Sequence, residues 1–111
     1  MAKNETIDDF LRSFSCVIIT GASSGIGRAI LSRIYDSGTS APVFNLSRTA
    51  PEGVPNTCKL THLTCDLSQP HEIEKVVTRL RELMPREGRI LLINNSGFGA
   101  YGEFPAPGLD H

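Results

Sequence analysis

Apolar positions along the chain fall into helical spacings and short unbroken runs that alternate. Ile7, Phe10, Leu11 and Phe14 recur at i, i+3, i+4 and i+7, predicting a short helix with one apolar face and Thr6 as its cap. Cys16-Val17-Ile18-Ile19-Thr20 is a continuous run bounded by Gly21, and continuous rather than alternating apolarity predicts a parallel strand covered on both faces. From Ile26 to Asp36 the apolar residues Ile26, Ala29, Ile30 and Ile34 keep helical spacing, and Gly38 stands where a left-handed C-terminal cap is wanted. Val43 to Ser47 predicts a second strand and Leu60 to Cys65 a third, separated by a loop with Pro51, Gly53 and Pro55. Ser68 and Pro70 open a helix whose inward face is Ile73, Val76, Val77, Leu80, Leu83 and Met84, ended by Pro85 and Gly88. Ile90 to Ile93 is the fourth strand.

Strand, helix, strand, loop, strand, helix, strand leaves few topologies, because parallel crossovers are right-handed and lay their helices on the sheet faces. The 111 residues, 12.1 kDa, suit one domain spanning 1–111, with residues 1–14 as an N-terminal extension. Hydrophobic residues at 40% and charged residues at 21% exclude a disordered tail, collagen or a coiled coil. A net charge of -1 gives no broad attraction to nucleic acid or an anionic membrane. Cys16, Cys58 and Cys65 are odd in number and lack CxxC spacing, which predicts reduced, buried thiols rather than a disulfide framework. Glu5, Asp8 and Asp9 stand where a signal peptide would be basic, and no apolar stretch approaches the roughly 18 residues of a membrane span, so a cytoplasmic protein is expected.

The chemistry is concentrated in Thr20-Gly21-Ala22-Ser23-Ser24-Gly25-Ile26-Gly27-Arg28, between the first strand and the helix after it. A sharp strand-to-helix turn needs glycine where φ is positive, and a pyrophosphate approaching the backbone needs positions without Cβ. The N–H groups and dipole at the start of the following helix would attract phosphate. An ordinary tight strand-to-helix turn is the plainer reading of the glycines alone. A P-loop is excluded, since this loop holds no Lys for the β- and γ-phosphates. His62 and His71 have no metal-ligand spacing and read as strand packing and a helix first turn; no metal site is expected.

Taken together, three segments resemble the short-chain dehydrogenase/reductase (SDR) family in sequence, order and spacing, over residues 15–104 and limited to its N-terminal cofactor-binding half. TGASSGIG at 20–27 resembles the family's TGxxxGxG cofactor loop. Cys65-Asp66-Leu67 stands where the family has an Asp that hydrogen-bonds the adenine edge. Asn94-Asn95-Ser96-Gly97 resembles its NNAG element, with Ser96 in place of Ala. The resemblance implies an α/β fold, a partial Rossmann-like doubly wound parallel sheet of about four strands in the order 3-2-1-4 with flanking helices. It implies cofactor contacts at Gly21, Ser23, Ser24, Gly25, Ile26, Gly27, Asp66, Leu67, Asn94, Asn95, Ser96 and Gly97. It also implies hydride transfer between the dinucleotide and a small-molecule carbonyl or alcohol.

At the end of the second strand an acidic residue would accept from the NAD ribose, whereas this chain has Ser47-Arg48. A guanidinium suits a 2′-phosphate, so the residues favour NADP(H) over NAD(H). The plainer reading makes Arg48 a solvated loop charge, and Arg28 is a second candidate or a surface helix residue. Phe98, Tyr101 and Phe104 read either as a pocket lining or as loop anchors.

The family's catalytic Tyr heads a YxxxK motif, its Lys lowering the phenol pKa. Tyr35 is followed four residues later by Thr39 and Tyr101 by Pro105, so no catalytic residue is carried over and the 111 residues alone are expected to be inactive. The family order 3-2-1-4-5-6-7 would centre Ile90–Ile93, which here would be an edge inviting self-association. Rival readings are a module or subunit that binds NADP(H) without chemistry, and a vestigial structural αβ domain.

Overall fold

A computed structural model describes residues 5–96; Gly97, Phe98, Tyr101 and Phe104 lie outside the described residues. The elements are α1 (Ile7–Arg12), β1 (Cys16–Thr20), α2 (Gly25–Asp36), β2 (Val43–Ser47), β3 (Leu60–Thr64), α3 (Pro70–Leu83) and β4 (Ile90–Ile93). All strand pairs are parallel and the order is β3-β2-β1-β4, which is the Rossmann-like arrangement expected from the sequence. The third strand ends one residue early, although the Cys65 N–H still donates to the Ser47 carbonyl at 3.0 Å.

Each face of the sheet has its own core. On one side Leu11 of α1 and Leu31 and Ile34 of α2 pack on Val17, Ile19 and Val43. On the other, Val76 and Leu80 of α3 pack on Cys16, Ile18, Phe44 and Leu46. β1 and β2 are therefore buried along their whole length, which is why their sequences show no alternation. Burying a side chain such as Leu31 or Ile34 contributes about 1.5–3 kcal/mol. The three cysteines are free thiols, with Cys16 and Cys65 buried, and burial pushes the pKa of each of the three up.

The local signals hold at α1 and at the end of α2. The Thr6 hydroxyl accepts the Asp9 N–H at 3.0 Å while the Asp9 carboxylate accepts the Thr6 N–H at 3.3 Å, closing a capping box. Gly38 follows α2 at φ +78, its N–H donating to the Tyr35 carbonyl.

Elsewhere the apolar faces differ from the sequence expectation. Ile7 is exposed, because only the second half of the six-residue α1 reaches the core. Ile26 and Ala29 also face solvent, and α2 instead buries Gly27, Leu31 and Ile34. The cause is Gly27, whose missing Cβ lets the helix lie against Gly21 and so sets its rotation. Ser68 does not cap α3: its hydroxyl donates to Asp66 at 2.6 Å, Gln69 takes the cap position, and Pro70 begins the helix. Ile73, Val77 and Leu83 of α3 stay partly exposed.

β4 pairs with β1 alone among the described residues, as the edge expected from the sequence. Leu91 and Ile93 pack into the α2-side core, while Ile90 and Leu92 on the opposite face are 47% and 63% exposed. No helix among the described residues is long and apolar enough to cross a membrane.

Candidate functional site

The C-terminal ends of all four parallel strands open on one cleft of about 840 Å³. In such sheets that end, where the chain reverses direction between β1 and β4, is the place for ligands. Its walls come from four segments: Thr20, Gly21, Ser23 and Ser24 after β1; Ser47, Arg48 and Thr49 after β2; Cys65, Asp66, Leu67 and Ser68 after β3; and Asn94, Asn95 and Ser96 after β4.

The loop after β1 is held by contacts that only glycine permits. Gly21 and Gly25 adopt φ of +73 and +58. A Cβ on Gly21 would stand 2.5 Å from Ser96 Oγ, and one on Gly27 would overlap the Gly21 carbonyl and stand 2.5 Å from Asn95 Nδ2. The Thr20 hydroxyl accepts the N–H groups of Asn95 at 3.0 Å and Ser96 at 2.9 Å, and Asn95 Nδ2 donates to the Gly21 carbonyl at 3.2 Å. The loops after β1 and β4 are thereby joined as one wall. From the other side the buried Asn45 accepts the Ala22 N–H at 2.9 Å.

The first turn of α2 is open to an anion. Ser24, its N-cap, makes no side-chain capping bond, and no acidic residue stands in that turn.

Arg48 is exposed at the rim, while Ser47 is buried and its hydroxyl donates to the Thr49 carbonyl at 2.6 Å. Across the cleft, Asp66 Oδ1 accepts the N–H and hydroxyl of Ser68, at 3.0 and 2.6 Å. These bonds, led by the hydroxyl, hold the Asp66 carboxyl below the usual carboxylate range, with the Arg48 charge adding to them. Glu72 of α3 fixes the same turn by accepting the Asp66 N–H at 3.0 Å.

The structure thus brings together Gly21, Ser23, Ser24, Ser47, Arg48, Asp66, Leu67, Asn94, Asn95 and Ser96. Gly25, Ile26 and Gly27 are not on the cleft wall: Gly27 is buried beneath Gly21, and Ile26 points to solvent. Gly97 lies outside the described residues. Arg28 is engaged elsewhere, donating to the carbonyls of Glu52 and Gly53 at 3.0–3.3 Å, bonding Ser32, and lying 5.5 Å from the Tyr35 ring centre. It ties α2 to the loop between β2 and β3. Sequence reasoning missed Thr49, Cys65 and Ser68 on the wall, and Asn45 behind it. A single Asn inside Val43-Phe44-Asn45-Leu46 was the available signal, since a buried amide must find partners.

The sequence model of the short chain dehydrogenase family matches residues 15–108. The chain belongs to the short chain dehydrogenase family. Members of this family bind NAD(P). An uncharacterized oxidoreductase of Saccharomyces cerevisiae is 36% identical over 92 residues, covering 81% of this chain and 27% of the relative. The NADPH-dependent 3-dehydrocapnine reductase of Ornithobacterium rhinotracheale is 31% identical over 91 residues, covering 77% of this chain and 31% of that protein. Among solved structures, ligand-free aldohexose dehydrogenase of Thermoplasma acidophilum superposes with a TM-score of 0.64 at 32% identity, covering 90% of this chain and 36% of that one. A short chain dehydrogenase from Leptospira borgpetersenii with bound NAD+ shares the fold at a TM-score of 0.57 and 21% identity, over 74% of this chain and 32% of that one. The chain therefore spans about a third of the length of the proteins it matches.

Proposed function

We propose that the chain is the NADP(H)-binding portion of a short-chain oxidoreductase that transfers a hydride between the nicotinamide and a small-molecule carbonyl or alcohol. The carrying observation is that one cleft gathers Gly21, the uncapped Ser24 at the start of α2 and an exposed Arg48, with Asp66 opposite. The pyrophosphate would lie against Ser23, Ser24 and the start of α2, because the Gly21 and Ala22 N–H groups already donate to the Leu46 carbonyl and Asn45 while Ser24 makes no side-chain capping bond. Asp66 would accept from the adenine edge through Oδ2, since Ser68 occupies Oδ1. Asn94 to Ser96, with Gly97 after them, would flank the nicotinamide half. Bound cofactor supplies or accepts the hydride; the residues described here hold and orient it.

The preference for NADP(H) rests on Arg48 at the rim, a bidentate partner for a 2′-phosphate where a carboxylate would repel it. Titration of the 111-residue chain with NADP+ and NAD+ tests this reading. NADP+ binds the more tightly, and Arg48→Ala weakens NADP+ by about tenfold while leaving NAD+ within about twofold. Equal affinities that Arg48→Ala leaves equal would overturn the preference.

A second reading is a module that holds NADP(H) without chemistry. It predicts binding without turnover. A third, a purely structural αβ domain, predicts no binding. Gly25 separates these two, because a Cβ there meets nothing within 4 Å and Asn tolerates its φ of +58. Gly25→Asn therefore keeps the fold while setting a side chain at the start of α2, where the pyrophosphate would approach. Loss of NADP+ affinity supports the binding module, and a chain that never bound supports the structural domain.

A further inference from the structure

Behind the cleft lies an amide that no part of the expected cofactor contacts explains. Asn45 is fully buried in the middle of β2, paired with Ile19 of β1 on one side and His62 of β3 on the other. Its neighbour in space is Ala22, whose backbone N–H can only donate, so the atom 2.9 Å away is the amide oxygen. The Nδ2 end is then fixed. It donates to Ser47 Oγ at 2.9 Å and lies 3.0 Å from His62 Nδ1, which must accept. His62 is thereby the Nε2–H tautomer, with Nε2 3.2 Å from Thr64 Oγ1. Ser47, accepting from Asn45, donates its own hydroxyl hydrogen bond to the Thr49 carbonyl.

We propose that Asn45 is a positioning residue that sets the glycine loop and the Arg48 turn at a fixed spacing, with neutral His62 holding its amide in the working orientation. The proposal rests on the dinucleotide reading above. Ala22 stands between Gly21 and Ser23, and Thr49 is next to Arg48, so one amide anchors both the pyrophosphate cradle and the ribose end of the cleft. Protonated His62 would present N–H to N–H at Nδ1 and force the amide to turn or withdraw, releasing Ala22 or Ser47. The groups bonded to the imidazole, Asn45 and Thr64, do not titrate. Cys58 and Tyr35 pack on the same side of the sheet; burial keeps the Cys58 thiol protonated, and the Tyr35 hydroxyl is engaged by Ser32 and Arg28. Burial alone lowers the His62 pKa, in the direction that keeps it neutral.

The test is calorimetric titration of the 111-residue chain with NADP+ at pH 7.5 and pH 5.5, beside Asn45→Ala, Asn45→Asp and His62→Gln. Asn45→Ala weakens binding by about tenfold at pH 7.5. The unsubstituted chain binds more weakly at pH 5.5 than at pH 7.5; Gln at position 62 still offers an acceptor without a titrating group, so affinity at pH 7.5 stays within about twofold and the part of that weakening due to His62 disappears. Ionisation of the nucleotide phosphates is common to both chains and cancels in that comparison. Nitrogen NMR of His62 gives the Nε2–H tautomer in the unsubstituted chain, and Asn45→Asp raises its titration point by supplying a carboxylate. That readout stands even where Asn45→Ala does not fold. Unchanged affinity in Asn45→Ala, an undiminished pH effect in His62→Gln, or an Nδ1–H tautomer would each overturn the proposal. An unsubstituted chain that binds neither NADP+ nor NAD+ would overturn the dinucleotide reading, while the tautomer still decides whether the network exists.

Discussion

Gly27 lies so close beneath Gly21 that a Cβ on Gly27 would overlap the Gly21 carbonyl oxygen. The obstacle is backbone rather than the end of a flexible side chain, so neither partner can move aside without displacing the loop or the helix. Gly27→Ala is therefore expected to destabilise the chain by about 2–3 kcal/mol and to lose dinucleotide affinity with it. Gly25→Ala meets no atom within 4 Å and carries only the strain of a positive φ, costing about 1 kcal/mol. Urea denaturation of the two variants side by side checks this ranking, and equal losses would show that the close approach is not what makes Gly27 necessary.

Thr20 does for the loop after β4 what Gly27 does for α2. Its hydroxyl is the acceptor for two backbone N–H groups, those of Asn95 and Ser96, which are partly shielded from water. Thr20→Val keeps the shape and removes the acceptor, so a loss of about 2 kcal/mol is expected, with Thr20→Ser restoring most of it. Hydrogen exchange at the Asn95 and Ser96 amides should quicken in the Val variant by at least as much as global unfolding does. Protection that survives in Thr20→Val would assign those amides to another acceptor.

Which of these relationships the sequence discloses follows from whether one segment or two are needed to see them. The strands are visible because a strand covered on both faces has no reason to alternate, and Val17-Ile18-Ile19 and Val43-Phe44 show this directly. The glycine loop is visible because positive φ selects glycine at Gly21 and Gly25, and close approach selects it at Gly21 and Gly27. The inward face of α2 is not, because Ile26 and Ala29 keep the right spacing while the contact that sets the helix rotation belongs to a residue with no side chain. The sequence favours Arg48 over Arg28 but does not show why Arg28 stays off the cleft. What removes Arg28 from the cleft is a pair of carbonyls, Glu52 and Gly53, whose position depends on the path of the whole loop after β2. Asn45 was legible in principle: an amide among Val43, Phe44 and Leu46 must be bonded, though the sequence does not say to what.

The pH dependence of stability has a definite sign at His62. Burial lowers its folded-state pKa below the ordinary 6.5, so between those two values the unfolded chain binds a proton that the folded chain does not. Stability from this group is complete above the unfolded pKa and is lost as pH falls through the folded one. Urea midpoints measured from pH 7.5 down to pH 5 should fall in the unsubstituted chain and fall less in His62→Gln. A larger fall in the variant would mean that His62 gains rather than loses a favourable interaction on protonation.

The exposed face of β4 predicts how the 111-residue chain behaves in concentrated solution. Ile90 and Leu92 present adjacent apolar side chains on one face of a strand that pairs only with β1 among the described residues, and neither carries a neighbouring charge within the strand. Open backbone beside an uncharged apolar face is the combination that recruits a second strand, and folded proteins usually blunt it with Lys or Pro. Light scattering at high protein concentration is therefore expected to give a mass above the 12.1 kDa of one chain. Leu92→Lys places a charge on that face without touching Leu91 and Ile93, which hold β4 to the core, so it should return the chain to monomer with its melting temperature little changed. A monomer before substitution would show that this edge is already covered, and an oligomer that survives Leu92→Lys would place the contact on another surface, of which the partly exposed Ile73, Val77 and Leu83 of α3 are the next to substitute.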